Sequence, residues 1–466
     1  MTRGSQTTVG WGNIRSTYDT VVIGAGPAGC ATAACLAAHG ASVLLVESNP
    51  KAARRFAGEW VHPEGVRVLQ VQGLLEGLSD HVVTSGFVVF PNDGLGPIQL
   101  DYPEGTTGLA CEHETLVTHV RRRVAEFPGV DYAEGVRAQP VGGDAVDLVA
   151  RGGEAKRVHA KLVAVAAGRS SRDVVSPDPM REAQVSISQM AGLLVADSQL
   201  PCEGYGHVLV GGPGPVLAYR IDANRIRLCF DVPHASHRGA HAAEWIWKSF
   251  AEVLPPMLRE GVRKELAQTS LSWASIAFRP RRYRTESGVA LVGDVAGIFH
   301  PLTALGITMS VLDAEALAEA SSLTEYAAHR ASRSYIPELL SNAIYQAFVR
   351  DDAGSEAIRE AIFATWRSSP AHRSRTMKLL GAASTGRAEF VRAFSHVAVR
   401  AGAAALTSDR RTVEELASWL RWPWASLHPQ PDAIRSRSLS WAAPESWASR
   451  DFFRSPQPLK EKQHAN

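Results

Sequence analysis

The sequence predicts an α/β fold with an α+β insert: a Rossmann-type domain built on a glycine turn, an inserted β-sheet domain and a C-terminal helical region. Three observations carry this. Val21-Val-Ile-Gly-Ala-Gly-Pro-Ala-Gly29 is an apolar run that breaks into a G-x-G-x-x-G turn. A small-residue stretch of helical character follows, then Ser42-Val-Leu-Leu-Val-Glu47, an apolar strand ending in an acid. Far downstream, Val289-Ala-Leu-Val-Gly-Asp294 is again an apolar strand running into a polar turn. Strand, glycine turn, helix, strand, acid is the order a dinucleotide requires. Gly24 makes the tight turn, Gly26 lets the backbone approach a pyrophosphate, and Gly29 lets the helix pack closely on the strand. Pro27 and Ala28 belong to the helix N-terminus, whose N–H groups and dipole face the phosphates. Glu47 can accept hydrogen bonds from ribose hydroxyls.

Residues 21–38 are apolar enough to mimic a leader or a membrane span. Glycine and proline punctuate the run, no strongly basic segment directly precedes it, and it breaks at His39-Gly40 before resuming as a strand. No other stretch approaches about 18 uninterrupted apolar residues. The expectation is a cytoplasmic chain without a cleaved leader, with residues 1–18 a flexible extension.

A chain of 466 residues can bury a large core, enough for two intimately packed domains and a tail. Its formal charge of +2, with no concentrated basic arm, argues against nucleic acid as a partner. Cys30, Cys35, Cys111, Cys202 and Cys229 form no C-x-x-C and have no metal spacing, so they read as buried small residues rather than disulfides. The 16 histidines form no H-E-x-x-H, and no metal is expected.

Between the anchors, Arg54-Arg-Phe-Ala-Gly-Glu-Trp-Val-His-Pro-Glu-Gly65 leads to a short helix near 65–78. Strands follow around 86–100, then a helix at about 113–126 that carries Arg121-Arg-Arg123. Residues 129–140, 145–151 and 156–166 read as strands that return the chain to the first sheet. Residues 184–278 read as the inserted substrate domain, which the strands around 86–100 are free to join. Val208-Leu-Val, Val216-Leu-Ala-Tyr-Arg-Ile221 and Arg225-Ile-Arg-Leu-Cys-Phe-Asp231 have strand character, with a turn at Asp222-Ala-Asn-Arg225. A helix at about 241–254 and a strand at 270–278 close the insert. The first domain thus comprises 19–183 and 279–325, with a helix near 306–320. A helical region covers 326–421, and 422–466, rich in Ser, Pro and Trp, reads as an irregular tail.

A glycine turn serves NAD or FAD, and the segment from Gly288 to Thr308 favours FAD. Asp294 can accept a hydrogen bond from a ribityl hydroxyl. Pro301 to Thr308 can bring a helix N-terminus to the flavin's pyrimidine edge, where negative charge collects on reduction. Gly293-Asp294 alone would read as an ordinary strand-to-turn transition; its pairing with the first motif decides for FAD.

On these residues the chain resembles the squalene-epoxidase-related flavoprotein monooxygenases, which have the FAD-binding hydroxylase fold. The Gly24–Gly29 turn, Arg55 with Gly58-Glu59 and Pro63-Glu-Gly65, and Gly293-Asp294 with His300-Pro-Leu-Thr303 match that family's segments in relative position. The resemblance spans roughly residues 19–320 and is vague between 184 and 275. It implies that Glu47 binds the adenine ribose, Arg55 contacts the cofactor, Val136 lies near adenine, and Asp294, Gly306 and Ile307 line the flavin. Three departures stand out. Ala304 replaces a usual glycine and Leu305 a small residue, which leaves the backbone less room to approach. The family's Asp-Gly motif appears as Ala167-Gly168-Arg169-Ser170-Ser171, which opens the source of electrons to NAD(P)H or a separate flavin reductase as redox partner. Its His-Gly-Arg segment appears as His113-Glu-Thr115, without the arginine.

The activity so implied is an FAD-dependent monooxygenase of isoprenoid or secondary metabolism. It would transfer one oxygen atom of molecular oxygen from a C4a-hydroperoxyflavin to a lipophilic unsaturated or aromatic substrate, by epoxidation or hydroxylation. The protein supplies orientation and a dry pocket, so no nucleophile or triad is expected, and Ser170-Ser171 reads as a helix cap. Two side chains are catalytic candidates. Glu59 either positions groups or relays protons beside the flavin, or is a structural carboxylate bonded to backbone N–H groups. His300 either faces the isoalloxazine or substrate, or is a satisfied histidine beside Pro301. The alternatives are a geranylgeranyl-reductase-type reductase or dehydrogenase, a flavin-dependent halogenase, and a non-catalytic FAD-binding protein. Against the halogenase, no lysine occurs between Lys51 and Lys156, and Trp245-Ile-Trp247-Lys-Ser-Phe250 reads as an amphipathic helix.

The C-terminal region gathers Trp366, Trp419, Trp422, Trp424, Trp441, Trp447 and Phe452-Phe453. Phe390, Val391, Phe394, Val397, Ala398 and Ala401 recur there at helical spacing, with Arg387, Arg392 and Arg400 mostly off the stripe. This is either a helical cap packed on the substrate domain or an interfacial helix in peripheral membrane contact, through which a greasy substrate enters.

Overall fold

The computed structural model describes residues 8–169, 185–233, 239, 241–405, 412–417 and 419. Ser170-Ser171 and the aromatic residues beyond Trp419 lie outside the described residues. The chain runs through β1 (Thr17–Ile23), α1 (Pro27–Ala38), β2 (Val43–Glu47), β3 (Trp60–Val61), α2 (Pro63–Val71), β4 (His81–Thr84), β5 (Gly86–Phe90), β6 (Ile98–Asp101) and β7 (Gly108–Cys111). It continues with α3 (His113–Val124), β8 (Val130–Glu134), β9 (Val136–Pro140), β10 (Ala145–Ala150), β11 (Ala155–Val165), β12 (Val185–Ala196), β13 (Tyr205–Leu209), β14 (Val216–Arg220) and β15 (Arg225–Val232). Then come α4 (Ala242–Phe250), α5 (Pro256–Gln268), β16 (Ser272–Phe278), β17 (Ala290–Leu291), α6 (Gly306–Glu319), α7 (Leu323–Val349), α8 (Ala353–Ser368), α9 (Pro370–Leu380) and α10 (Arg387–Ala405).

Two large sheets organise these elements. The first has the order β8-β2-β1-β11-β10-β9, with β17 also on β11. Its β8, β2, β1, β11 and β17 are parallel neighbours, whereas β9 and β10 are antiparallel. The central parallel strands turn apolar where helices cover them: all five residues of β2 are buried, as are residues 21–23 of β1 and 163–165 of β11. The second sheet runs β16-β12-β15-β14-β13-β5-β6, so the strands at 86–101 pair into the sheet of the insert. A small sheet of β3, β7 and β4 lies apart from both.

The second sheet is covered on both faces, and side-chain alternation assigns each residue to one of them. Val216, Ala218, Ile226, Leu228 and Phe230 pack with Phe250 of α4 and Leu258 and Val262 of α5. Leu217, Tyr219 and Cys229 belong to the opposite core, shared with Trp60, Tyr345, Phe348 and Trp366.

Two expectations are corrected here. Residues 8–18 are anchored to the first sheet rather than a free extension: Val9 N–H donates to Tyr132 O at 2.8 Å and Lys156 Nζ to Trp11 O at 2.6 Å. The strand at 289–294 pairs only over Ala290–Leu291 and then turns in a short 3-10 helix at Gly293–Val295. The stripe on α10 lies against α8 and α9, with Phe390 and Ala401 buried. Trp366 and Trp419 are buried as well, the packing expected of the helical-cap reading. Among the described residues no helix is long and apolar enough to cross a membrane.

Candidate active site

The loop from β1 into α1 shows why its three motif glycines stand there. Gly24 has φ +104°, and a β-carbon on it would lie 2.7 Å from Ala166 O. A β-carbon on Gly29 would collide with the Gly24 carbonyl. Gly26 differs: its backbone is extended, and nothing lies within 4 Å of the β-carbon position. Gly24 and Gly29 are demanded by the fold, whereas Gly26 leaves open space beside the N-terminus of α1.

That space belongs to a cavity of about 1030 Å³ lined from both sheets. Gly24, Gly26, Pro27, Ala28, Glu47, Arg55, Glu59, Val136, Asp294, Gly306 and Ile307 all line it. Of the residues expected at the site, Gly29 and His300 do not line it. Gly29 serves helix packing, as its close approach requires.

Glu47 stands at the end of β2, where Oε2 accepts Ala25 N–H at 3.0 Å and Oε1 accepts Asn49 N–H at 2.8 Å. Arg121 of α3 donates to Oε2 at 2.9 Å and to the carbonyls of Ala25 and Pro50. This buried pair fixes the acid at the cavity edge with an Oε1 lone pair for a ribose hydroxyl. In the sequence, Arg121 reads only as part of a charge run, although its place on the buried side of an amphipathic helix was a signal.

The opposite edge is the Gly293-Asp294 turn, which packs against α1 and α6: a β-carbon on Gly293 would meet Ala28 Cβ at 3.0 Å and Ser310 Oγ at 2.9 Å. Fully buried Asp313 of α6 accepts Gly293 N–H at 3.0 Å and Arg330 Nε at 2.7 Å, and it also pairs with Arg281. The Asp294 carboxylate accepts Arg169 Nε at 3.0 Å, so a ribityl hydroxyl would share Asp294 with this arginine. Exposed Arg55 stands beside Gly168 on the same rim. The N-terminus of α6 meets the cavity from this side, after a turn in which Ala304 adopts φ +53°. The alanine at a glycine position therefore carries the left-handed backbone itself.

Glu59 is 1% exposed, and side chains of the second sheet hold it rather than backbone N–H groups. Arg227 of β15 donates Nε to Oε2 at 2.8 Å and Nη2 to Oε1 at 2.7 Å; Tyr219 of β14 donates to Oε2 at 3.1 Å. Arg227 also lies over the Phe56 ring at 5.2 Å. The pair thus ties the segment after β2 to the insert. Sequence reading missed Arg227 and Tyr219, whose signal was a polar residue on the inward face of an apolar strand.

His300 is fully buried beyond the lining, although Phe299 and Pro301 face the cavity. Its Nδ1 accepts Leu302 N–H at 3.1 Å, its ring stacks on Tyr345 with centroids 3.7 Å apart, and Nε2 lies 3.5 Å from Asp231 Oδ1. Of its two readings, this placement corrects the one in which it faces flavin or substrate and matches a histidine held beside Pro301. Beyond the edge at Asp294 and Ile307 the cavity wall is apolar and aromatic, with Phe56, Trp60, Phe87, Met190, Leu217 and Phe299.

Open backbone at Gly26, an acid at the end of β2 and a second helix N-terminus across the cavity together fit FAD. The comparisons agree. The chain is 27% identical to mouse squalene monooxygenase over 374 residues, 74% of this chain and 64% of the relative. It is 28% identical to Aspergillus fumigatus squalene epoxidase over 379 residues, covering 74% and 78% of the two chains. The chain therefore spans less than two thirds of the mouse relative's length. A flavoprotein/dehydrogenase structure from Cytophaga hutchinsonii matches with a TM-score of 0.66 at 16% identity, over 84% of this chain and 100% of that one, which shows a shared fold. The family model described as "FAD binding domain" matches residues 17–341, most of the chain, and the protein belongs to that family.

Proposed function

We propose that this protein is an FAD-dependent monooxygenase that inserts one oxygen atom of dioxygen into a lipophilic unsaturated or aromatic substrate. One observation carries the reading: a single cavity joins the dinucleotide edge, at Gly26 and Glu47, to an apolar wall at Trp60, Phe87, Met190 and Leu217. Bound FAD would supply the electron transfer and the oxygen activation. The N-terminus of α1 would take the diphosphate and Glu47 the ribose. The N-terminus of α6 would face the charge that develops on reduction. The aromatic wall would orient a greasy substrate and exclude water. The salt bridge to Arg227 supports a holding role for Glu59 rather than proton transfer. Likeness to squalene monooxygenases supports an isoprenoid-like substrate. Ala167-Gly168 in place of an Asp-Gly pair supports electron delivery by a separate reductase as well as by NAD(P)H.

The test supplies FAD-loaded protein with NADPH, a flavin reductase and isotopically labelled dioxygen, with squalene, shorter prenylated alkenes and prenylated phenols as probes. One labelled oxygen atom per product is expected. Product with fewer or more double bonds and no label would establish a reductase or dehydrogenase instead.

A further inference from the structure

Three buried side chains connect the substrate wall to the flavin-facing turn. Trp60 Nε1 lies 2.9 Å from Tyr102 Oη, Tyr102 Oη lies 2.8 Å from His62 Nδ1, and His62 Nε2 lies 2.8 Å from Thr303 O. All three are buried, at 3%, 7% and 0% exposure. Chemistry sets the direction of each bond. An indole N–H only donates, so Tyr102 Oη accepts from Trp60. The Tyr102 hydroxyl proton then goes to His62 Nδ1. A carbonyl only accepts, so the single proton of the neutral ring sits on Nε2 and is donated to Thr303 O. Burial, partly offset by the Thr303 bond, pushes the His62 pKa down to about 4, in keeping with a neutral ring.

His62 holds this segment a second time through its backbone N–H, which donates to Thr308 Oγ1 at 2.9 Å. The two grips bracket Ala304, Gly306 and Ile307, all of which line the cavity. The bracketed residues contain the left-handed backbone of Ala304 and the start of α6. At the other end of the relay, Trp60 stands on the apolar wall against Phe87, with ring centroids 4.8 Å apart.

We propose that His62 is the positioning residue of the Thr303–Thr308 segment at the flavin's pyrimidine edge, and that Tyr102 and Trp60 fix its ring so that Nε2 donates to the Thr303 carbonyl. This rests on the FAD reading above. The N-terminus of α6 favours negative charge, so its alignment sets how much more tightly the protein holds reduced than oxidised flavin.

The experiment measures the midpoint potential of bound FAD in wild type, His62→Leu, His62→Gln and Tyr102→Phe, with circular dichroism as the check on folding. Gln can present an N–H near the position of Nε2, whereas Leu cannot. In His62→Leu the preference for reduced flavin should fall about tenfold, a drop of about 30 mV for a two-electron couple. His62→Gln should restore the wild-type value, and Tyr102→Phe should shift it in the direction of His62→Leu. A folded His62→Leu with wild-type potential overturns the proposal, as does a His62→Gln that shifts as far as His62→Leu. If His62→Leu does not fold, Tyr102→Phe decides, and an unshifted potential there overturns it. Wild type that takes up no FAD overturns the cofactor reading itself.

Discussion

Glu59 and Ala304 were both visible as motif positions, but each had a physical role that only the fold reveals. The Gly58-Glu59 match says nothing of what faces the carboxylate, because Arg227 is 168 residues away. Removing one partner of a buried pair strands the other, at a cost of roughly 3–5 kcal/mol. Glu59→Gln should therefore lower the urea unfolding midpoint strongly, and the double variant Glu59→Leu with Arg227→Met should recover most of the loss. Wild-type stability in Glu59→Gln would contradict the tie between insert and cofactor domain. Ala304 is the reverse case. Sequence comparison predicts lost room, whereas φ +53° adds a backbone cost. Ala304→Gly should raise stability by about 1 kcal/mol, read from the same unfolding curves.

At the scale of elements, legibility followed the strength of the repeating pattern. β14 is a short apolar run and β15 alternates polar and apolar residues, and the two flank an Asp222 turn, where Asn224 N–H donates to Asp222 Oδ1 at 2.9 Å; both were legible. β12 was not: its run Val-Ser-Ile-Ser-Gln-Met-Ala-Gly-Leu-Leu-Val-Ala starts with alternation and then loses it in a stretch of small and apolar residues. The two-residue β3 is too short to carry any period, yet it delivers Trp60 and His62 to the site. Buried neutral histidines recur across these elements. His62 follows β3, His113 opens α3 and His207 lies in β13, and burial pushes each down to about 4, against opposing backbone hydrogen bonds. Their ordinary value is 6.5, so the unfolded chain takes up these protons first as pH falls. Their contribution is whole above about pH 6.5 and is lost as pH falls toward 4. Unfolding midpoints measured across that window should fall steadily; a flat profile would contradict the neutral burial of these rings.

For the whole molecule, the two ends of the cofactor site were legible because they rest on local chemistry: a glycine turn, an acid after a strand, and a Gly-Asp turn before a helix. The apolar wall was not, since it is assembled from Phe56 and Trp60 after β2, Phe87 of β5, and Met190 and Leu217 of the insert. No short window of sequence contains that surface. On the proposed function, one cavity holds FAD along Gly26 and Glu47 and carries the substrate wall beyond it. Gly26 offers the most direct test, because its extended backbone and free surroundings tolerate a side chain that the cofactor would not. Titration of apo-protein with FAD should give one bound FAD per chain in wild type and none in Gly26→Val at the same folded stability; equal FAD binding by the two proteins would contradict the account.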